Sequence, residues 1–558
     1  MQNEFKEKNI AETRRSFFLK IHPGDNVLVA LKDLAYGTEI SSNGSSFKLT
    51  ENVAAKHKFF EHDMHTGDDV IMYGVLVGQL QSDVLKGQAM TTANTKHAAG
   101  KYAYRSFQYN WEPPDISQFL HKTFKGYKRS DGRVGTANYW LFIPTVFCEN
   151  RNLDVIKEAM WNELGYAVSD RYKQFTHQMF QAHLAGNDID KIDLNPTPAN
   201  TERYFKNVDG IKFLNHAGGC GGTRQDSATL SSLLASYADH PNVGGVTVLS
   251  LGCQHLQVKN FLSDVKQRNP SFDKPLYVFE QQQLQSEEQL ITEAIRQTFK
   301  GLIEINKQKR EETPLSALCI GVKCGGSDGF SGISANPAIG YTSDLLVALG
   351  GKVLLAEFPE LCGAEQELID RCINEETASK FIELMENYNE QAMQVGSGFH
   401  MNPSPGNIKD GLITDAIKST GAARKGGTSP VVSALDYTEP ATEIGLSLVC
   451  TPGNDVEATT GQAASGATLI LFTTGLGTPT GNPIAPTIKL STNSRLAKRM
   501  NDIIDIDTGP IIEGDKTIEQ MGEEILDYCI KVASGEIIPK AVQLCQDDFI
   551  PWKRGVSL

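Results

Sequence analysis

LSALCIGVKCGGSDGFSG, residues 315–332, decides the fold. An apolar run of strand length ends at Cys324 and breaks into a turn rich in glycine. A helix is expected over residues 337–349, stopped by Gly350-Gly351, and KVLLAE (352–357) reads as the next strand. Strand, turn, helix, strand is the order of a parallel α/β unit. Towards the C-terminus, LSLVC (446–450) precedes the turn TPGND and an Ala-rich helix, and ATLILFTTG (467–475) is a further strand. Towards the N-terminus the pattern recurs. WLFIPTVFC ends at Cys148, IKFLNH (211–216) runs into AGGCGGT, and GVTVLSLGC ends at Cys253. Leu230, Leu233, Leu234 and Tyr237, then Val258, Phe261, Leu262 and Val265, follow at helical spacing.

Before residue 100 the text is different. FFLKIH, a PGDN turn, VLVALKDL and DDVIMYGVLVGQL are short, alternating and punctuated, as in a small β-rich module. The divisions expected are an extension over 1–16, frayed or helical, a β module over 17–100 and a linker over 101–125. Two α/β domains with mainly parallel sheets follow, over 126–312 and 313–558.

The chain has 558 residues, 40% hydrophobic and 22% charged, with a formal net charge of −14. That charge argues against nucleic acid as a partner. No apolar run is long enough to span a membrane, and the charged N-terminus lacks a signal core, so a cytoplasmic protein is expected. Its ten cysteines are scattered and read as thiols or ligands rather than disulfides.

In open parallel sheets, ligands bind beyond the carboxyl ends of the strands. Cys148, Cys220, Cys253 and Cys324 each follow an apolar strand, with His216 four residues before Cys220, His255 two after Cys253, and Glu357 and Glu360 after another strand. Thiolate, imidazole and carboxylate together suit a metal or cluster. Cysteine is also a common small residue at buried strand ends, and no short CxxC pair occurs. GGCGG (218–222) and CGGSDG (324–329) could cradle an anion on backbone N–H groups or be plain tight turns, and neither fits a nucleotide motif. Lys323, Arg224, Lys418, Lys425 and Lys489 are cations near the crest that could pair with a carboxylate or stand solvated on the surface.

KIHPGDNVLVALKDL and HKFFEHDMHTGDDVIMYGVLVGQ resemble the N-terminal SAF module of the altronate/galactarate dehydratase family. TVFCEN, HPNVGGVTVLSLGC, KCGGSDGFSGISANPAIG, EFPELCGAEQ, NPSPGN, TPGND and TTGLGTPTGNPIAPTIKLSTN resemble, in order, that family's catalytic region. The match covers nearly all of residues 17–558 and fits the altronate branch better than the galactarate branch. It implies a hydro-lyase that turns D-altronate into 2-dehydro-3-deoxy-D-gluconate in hexuronate breakdown, with a divalent metal, Fe(2+) or Mn(2+). The family's strand-end cysteines match Cys148, Cys220, Cys253 and Cys324, and its acidic positions match Glu357, Glu360 and Glu365. Two departures stand out. Many relatives have a His-rich segment before Asn94, where this chain has GQAMTTAN with His97 just beyond. Some have a cysteine where this chain has Ala422.

Removing the C2 proton of an aldonate needs a base and stabilisation of the resulting aci-carboxylate, and the C3 hydroxide needs an acid or a metal. The catalytic candidates are His216, Lys323 and Asp328. Those for substrate are His22, His57, Asn94, Arg224, Ser327, Asn454 and Asp455. Cys148, Cys220, Cys253, Cys324, Glu357 and Glu360 are the metal candidates. A small sugar acid is the expected partner, and a homo-oligomer, a dimer, the expected assembly. Rival expectations are dehydration of galactarate or another aldarate, elimination of sulfite from sulfolactate, an iron–sulfur dehydratase and a sugar-acid-binding sensor.

Overall fold

The computed structural model describes residues 17–42, 44–106, 109–167, 171–194 and 202–557. The expected extension over 1–16 lies outside them. The N-terminal module is built from short antiparallel strands. Val27–Ala30 pairs with Phe18–Leu19 and Lys58–Phe60, Glu39–Ser42 with Ser45–Lys48, and Val75–Leu80 with Asp69–Met72 and Thr95–Lys96. The strand Thr123–Lys128 pairs antiparallel with Glu311–Pro314, so the chain that enters the first α/β unit is tied to the chain that leaves it.

That unit is a four-stranded parallel sheet in the order Gly210–Phe213, Tyr139–Pro144, Val243–Ser250, Leu276–Glu280. The second is a seven-stranded parallel sheet in the order Val431–Leu435, Gly445–Val449, Lys352–Ala356, Cys319–Cys324, Leu469–Thr474, Thr487–Ser491, Ile506–Asp507. The central strands are buried along their whole length, which is why they read as continuous apolar runs rather than alternating ones. The helix expected at 337–349 spans Ala335–Ala348.

Cys319–Cys324 lies at the middle of the large sheet. From it the chain builds outward on one side through Lys352–Ala356, then returns to place Leu469–Thr474 on the other. That reversal is the topological switch point, where a crevice opens beyond the strand ends. The two sheets share one apolar core: Tyr139, Leu141 and Val246 of the small sheet pack in the same cluster as Leu354, Val449 and Phe472 of the large one.

Candidate active site

The crest at the switch point carries a buried cluster of charge. Lys323, on the central strand, is fully buried and pairs with Glu357 and, at 2.8 Å, with Asp455. Glu357 follows the neighbouring strand in a left-handed conformation, φ 73°, which costs a non-glycine residue energy and is typical of functional turns. Its N–H donates to Thr451 Oγ1 at 2.9 Å. Glu360 sits three residues on, its Oε1 2.9 Å from Lys418 Nζ and its Oε2 3.5 Å from Cys324 Sγ. Lys425 Nζ donates to the same sulfur at 2.8 Å. Lys418 rides the helix Asp415–Ala423, and Lys425 the turn that ends it.

The two glutamates are driven apart. Burial and the charge of Glu360 push Glu357 up to about 8 against the pull of Lys323. Burial also works upward on Glu360, but Lys418, Lys323 and Lys425 outweigh it and hold that carboxylate down to about 2. Burial pulls the Lys323 ammonium down, yet Glu357, Asp455 and Glu360 together keep it well above the lysine range. Glu357 Oε2 is buried and has no hydrogen-bond partner among the described residues. Cys324, Glu357 and Glu360 each place one donor atom within 4.8 Å of the others, so the cluster fits a single divalent ion as well as a proton. Each glutamate gives one oxygen to a lysine, while Glu360 Oε2 faces the Cys324 thiol.

The remaining candidates lie as follows. Asp328 is buried beside this crest, held by Lys56 of the N-terminal module at 2.9 Å and by Thr492 Oγ1 at 3.1 Å. Ser327 gives its carbonyl to Asn407 at 2.8 Å. Asn454 caps the helix Asp455–Ala464, accepting from Val456 and Glu457. His57 reaches Lys409 O across the module boundary at 3.0 Å. His22 accepts from Gly24 N in its own turn, and Asn94 binds Ala89 O and Thr91 N. Lys489 turns to Gln546 instead of joining the cluster.

His216, Arg224 and three cysteines belong to the other crest. His216 Nε2 lies 2.8 Å from Pro144 O and Nδ1 accepts from Gly218 N at 3.0 Å, so both ring nitrogens are committed. Burial lowers its pKa to about 4. The fourfold cysteine set divides because the strands that carry it belong to different sheets. Cys148, Cys220 and Cys253 are exposed on loops beyond the small sheet, whereas Cys324 is buried on the large one. The three loops are nonetheless laced together by Phe147 N to Gly218 O and His255 N to Gly219 O. The Cys220 and Cys253 loops border a cavity of about 390 Å3 lined by His216, Cys220, His255, Phe549 and Trp552 among others, with Arg224 exposed at the start of the helix behind.

Sequence reasoning missed Lys56, Lys58 and Asn402. Lys58 is fully buried in the N-terminal module yet donates to Gly411 O at 2.7 Å, and Asn402 Oδ1 accepts from Lys418 at 2.8 Å. No local pattern announces such long-range partners.

The fold and site define an α/β protein with a β-rich N-terminal module and a buried lysine–carboxylate crest. Three stretches of the chain match an altronate/galactarate dehydratase SAF domain (residues 16–98), a D-galactarate dehydratase/altronate hydrolase second domain (126–306) and a D-galactarate/altronate dehydratase C-terminal domain (315–557). The chain is 33% identical over 528 residues to an altronate dehydratase of Bacillus subtilis, covering 93% of this chain and 96% of the relative. It is 34% identical over 549 residues to an altronate dehydratase of Escherichia coli, covering 97% of this chain and 100% of the relative. A galactarate dehydratase (L-threo-forming) of Escherichia coli is 31% identical over 530 residues, 94% of each chain. This chain belongs to the altronate/galactarate dehydratase family.

Proposed function

We propose that this protein is a hydro-lyase that dehydrates D-altronate to 2-dehydro-3-deoxy-D-gluconate, with its chemistry at the Lys323–Glu357–Glu360 crest. The observation that carries this reading is the buried cluster in which Lys323 pairs with Glu357 and Asp455 while Lys418 pairs with Glu360, so that Glu357 is pushed up and Glu360 is held down. Two carboxylates pushed apart by their surroundings can take different roles. The altronate relatives, which span nearly the whole chain, support the choice of substrate.

Lys323, Lys418 and Lys425 form a cationic floor for the sugar-acid carboxylate and for the extra charge of the aci-carboxylate. Glu357 is the proton carrier. As carboxylate, its unpartnered Oε2 takes the C2 proton and hands it to the departing C3 hydroxide, so that one proton and one hydroxide leave as water. The enol then tautomerises to the 2-keto acid. A divalent ion, Fe(2+) or Mn(2+), would be held by Cys324 and by Glu360, which stays ionised, and would polarise the substrate's carboxylate and C3 hydroxyl.

The test is an anaerobic assay of D-altronate and galactarate with Fe(2+) or Mn(2+), following 2-keto acid. Release from altronate is expected to exceed that from galactarate. No 2-keto acid from altronate would end the substrate reading. Glu357→Gln should lower kcat by about 10^2–10^4-fold. Because the carrier must start deprotonated, kcat/KM should rise as pH climbs through the ionisation of Glu357, which burial and Glu360 push above the usual carboxylate range. A flat profile across that range would remove Glu357 from the role.

A further inference from the structure

A second group of donor atoms lies at the seam between the N-terminal module and the large sheet. His97, Cys362 and Asp415 each bring one ligand atom within 4.8 Å of the other two. They come from three separate elements. His97 directly follows the strand Thr95–Lys96, Cys362 ends the turn Phe358–Leu361, and Asp415 opens the helix Asp415–Ala423. The seam is tight here, with Thr414 Oγ1 donating to Val77 O at 2.7 Å.

The group holds more acceptors than donors. Asp415 is 1% exposed, and its Oδ2 has no hydrogen-bond partner among the described residues. The Cys362 thiol faces both Asp415 and Glu365, yet it has a single proton to share. Glu365 is also buried, and its Oε2 accepts from Gly363 N at 2.5 Å. Burial pushes the Asp415 and Glu365 carboxyls up to about 8 and about 7, and a cation can take the place of the protons they hold. Imidazole, thiolate and carboxylate donors around one point match the preferences of zinc.

We propose that His97, Cys362 and Asp415, with Glu365 beside them, bind a zinc ion that fastens the N-terminal module to the second α/β domain. The ion takes a ring nitrogen of His97, whose Nδ1 accepts a hydrogen bond from Ala416 N at 3.3 Å. Binding releases the thiol proton of Cys362. Cys362 lies two residues after Glu360, and Asp415 three before Lys418 on the same helix. The ion therefore positions both members of that ion pair without touching the substrate. This site stands independently of the altronate reading.

The test uses the full chain, stripped with a chelator and reloaded. Zn(2+) should bind and slow alkylation of Cys362 at least tenfold, read by mass spectrometry. Co(2+) should give a thiolate charge-transfer absorption that persists in Cys324→Ala and disappears in the double variant Cys324→Ala/Cys362→Ser. Loss of at least tenfold in Zn(2+) affinity is expected for His97→Gln. Equal alkylation of Cys362 with and without Zn(2+) would overturn the proposal, as would a cobalt absorption that survives Cys362→Ser in the Cys324→Ala background. The alkylation arm needs no substitution, so it decides the matter even if a variant fails to fold.

Discussion

His216 is buried just beyond the strand Gly210–Phe213. Histidine beside a glycine-rich strand end is a natural base, but here its ring bridges Pro144 O and Gly218 N. In the folded protein it stays neutral down to about pH 4, whereas an unfolded histidine takes a proton near 6.5. The unfolded state thus gains protons first as pH falls. Stability from this residue is present above pH 6.5 and lost between 6.5 and about 4, a change of about 3 kcal/mol. Urea unfolding of wild type and His216→Asn at pH 7 and pH 4.5 should show a smaller pH effect in the variant. An equal pH effect in both would rule out this contribution. Lys323 is the opposite case. It too was legible as a crest cation, but only three acidic neighbours from distant segments make it a permanent ammonium.

Among elements, the strand-end turns are the features most fully encoded in local sequence. Gly219 has φ +97°, and a Cβ there would stand 2.2 Å from Thr145 O. No side chain fits, because the Cys220 loop must close on the backbone after the Tyr139–Pro144 strand. Gly219→Ala should cost at least about 2 kcal/mol in urea unfolding. Gly222→Ala is the control. Its Cβ meets nothing nearer than 3.6 Å, so the cost should stay below about 1 kcal/mol. Comparable losses at the two positions would mean that close approach is not what the glycine serves. The apolar runs and glycine punctuation made most strands and the Ala335–Ala348 helix readable. Pairing was less so. Thr123–Lys128 lies where a linker ends in the sequence reading, and its partner Glu311–Pro314 is nearly two hundred residues away.

At the scale of the molecule, the N-terminal module is a structural partner of the lysine–carboxylate crest. Val27, Phe60, Met72 and Val77 share a core with Phe330, Ile333, Leu412 and Ile417 of the large domain. Lys56 spans the seam to Asp328 and Asp410, at 2.9 Å and 3.0 Å. Deleting residues 1–100 uncovers that apolar face and leaves Asp328 buried without its cation. The truncated chain should aggregate or melt earlier, with kcat/KM reduced at least about 100-fold. Lys56→Met, a milder lesion, should cost about 3 kcal/mol by stranding a buried charge. Unchanged kcat and KM in a folded truncation would show that the module does not serve the crest.

The sequence by itself determined the class of fold, the family and the loops on which chemistry could stand. Those follow from local causes: the period of apolar residues, the backbone freedom of glycine and the order of motifs. Only the tertiary structure decided which loops share a site. It separated Cys324 from Cys148, Cys220 and Cys253 by assigning their strands to different sheets, and it gathered Lys323, Glu357, Glu360, Lys418 and Lys425 at one switch point. The reason is physical. Ionisation and ligation depend on burial and on charges within a few ångströms, and those neighbours come from segments far apart in the chain.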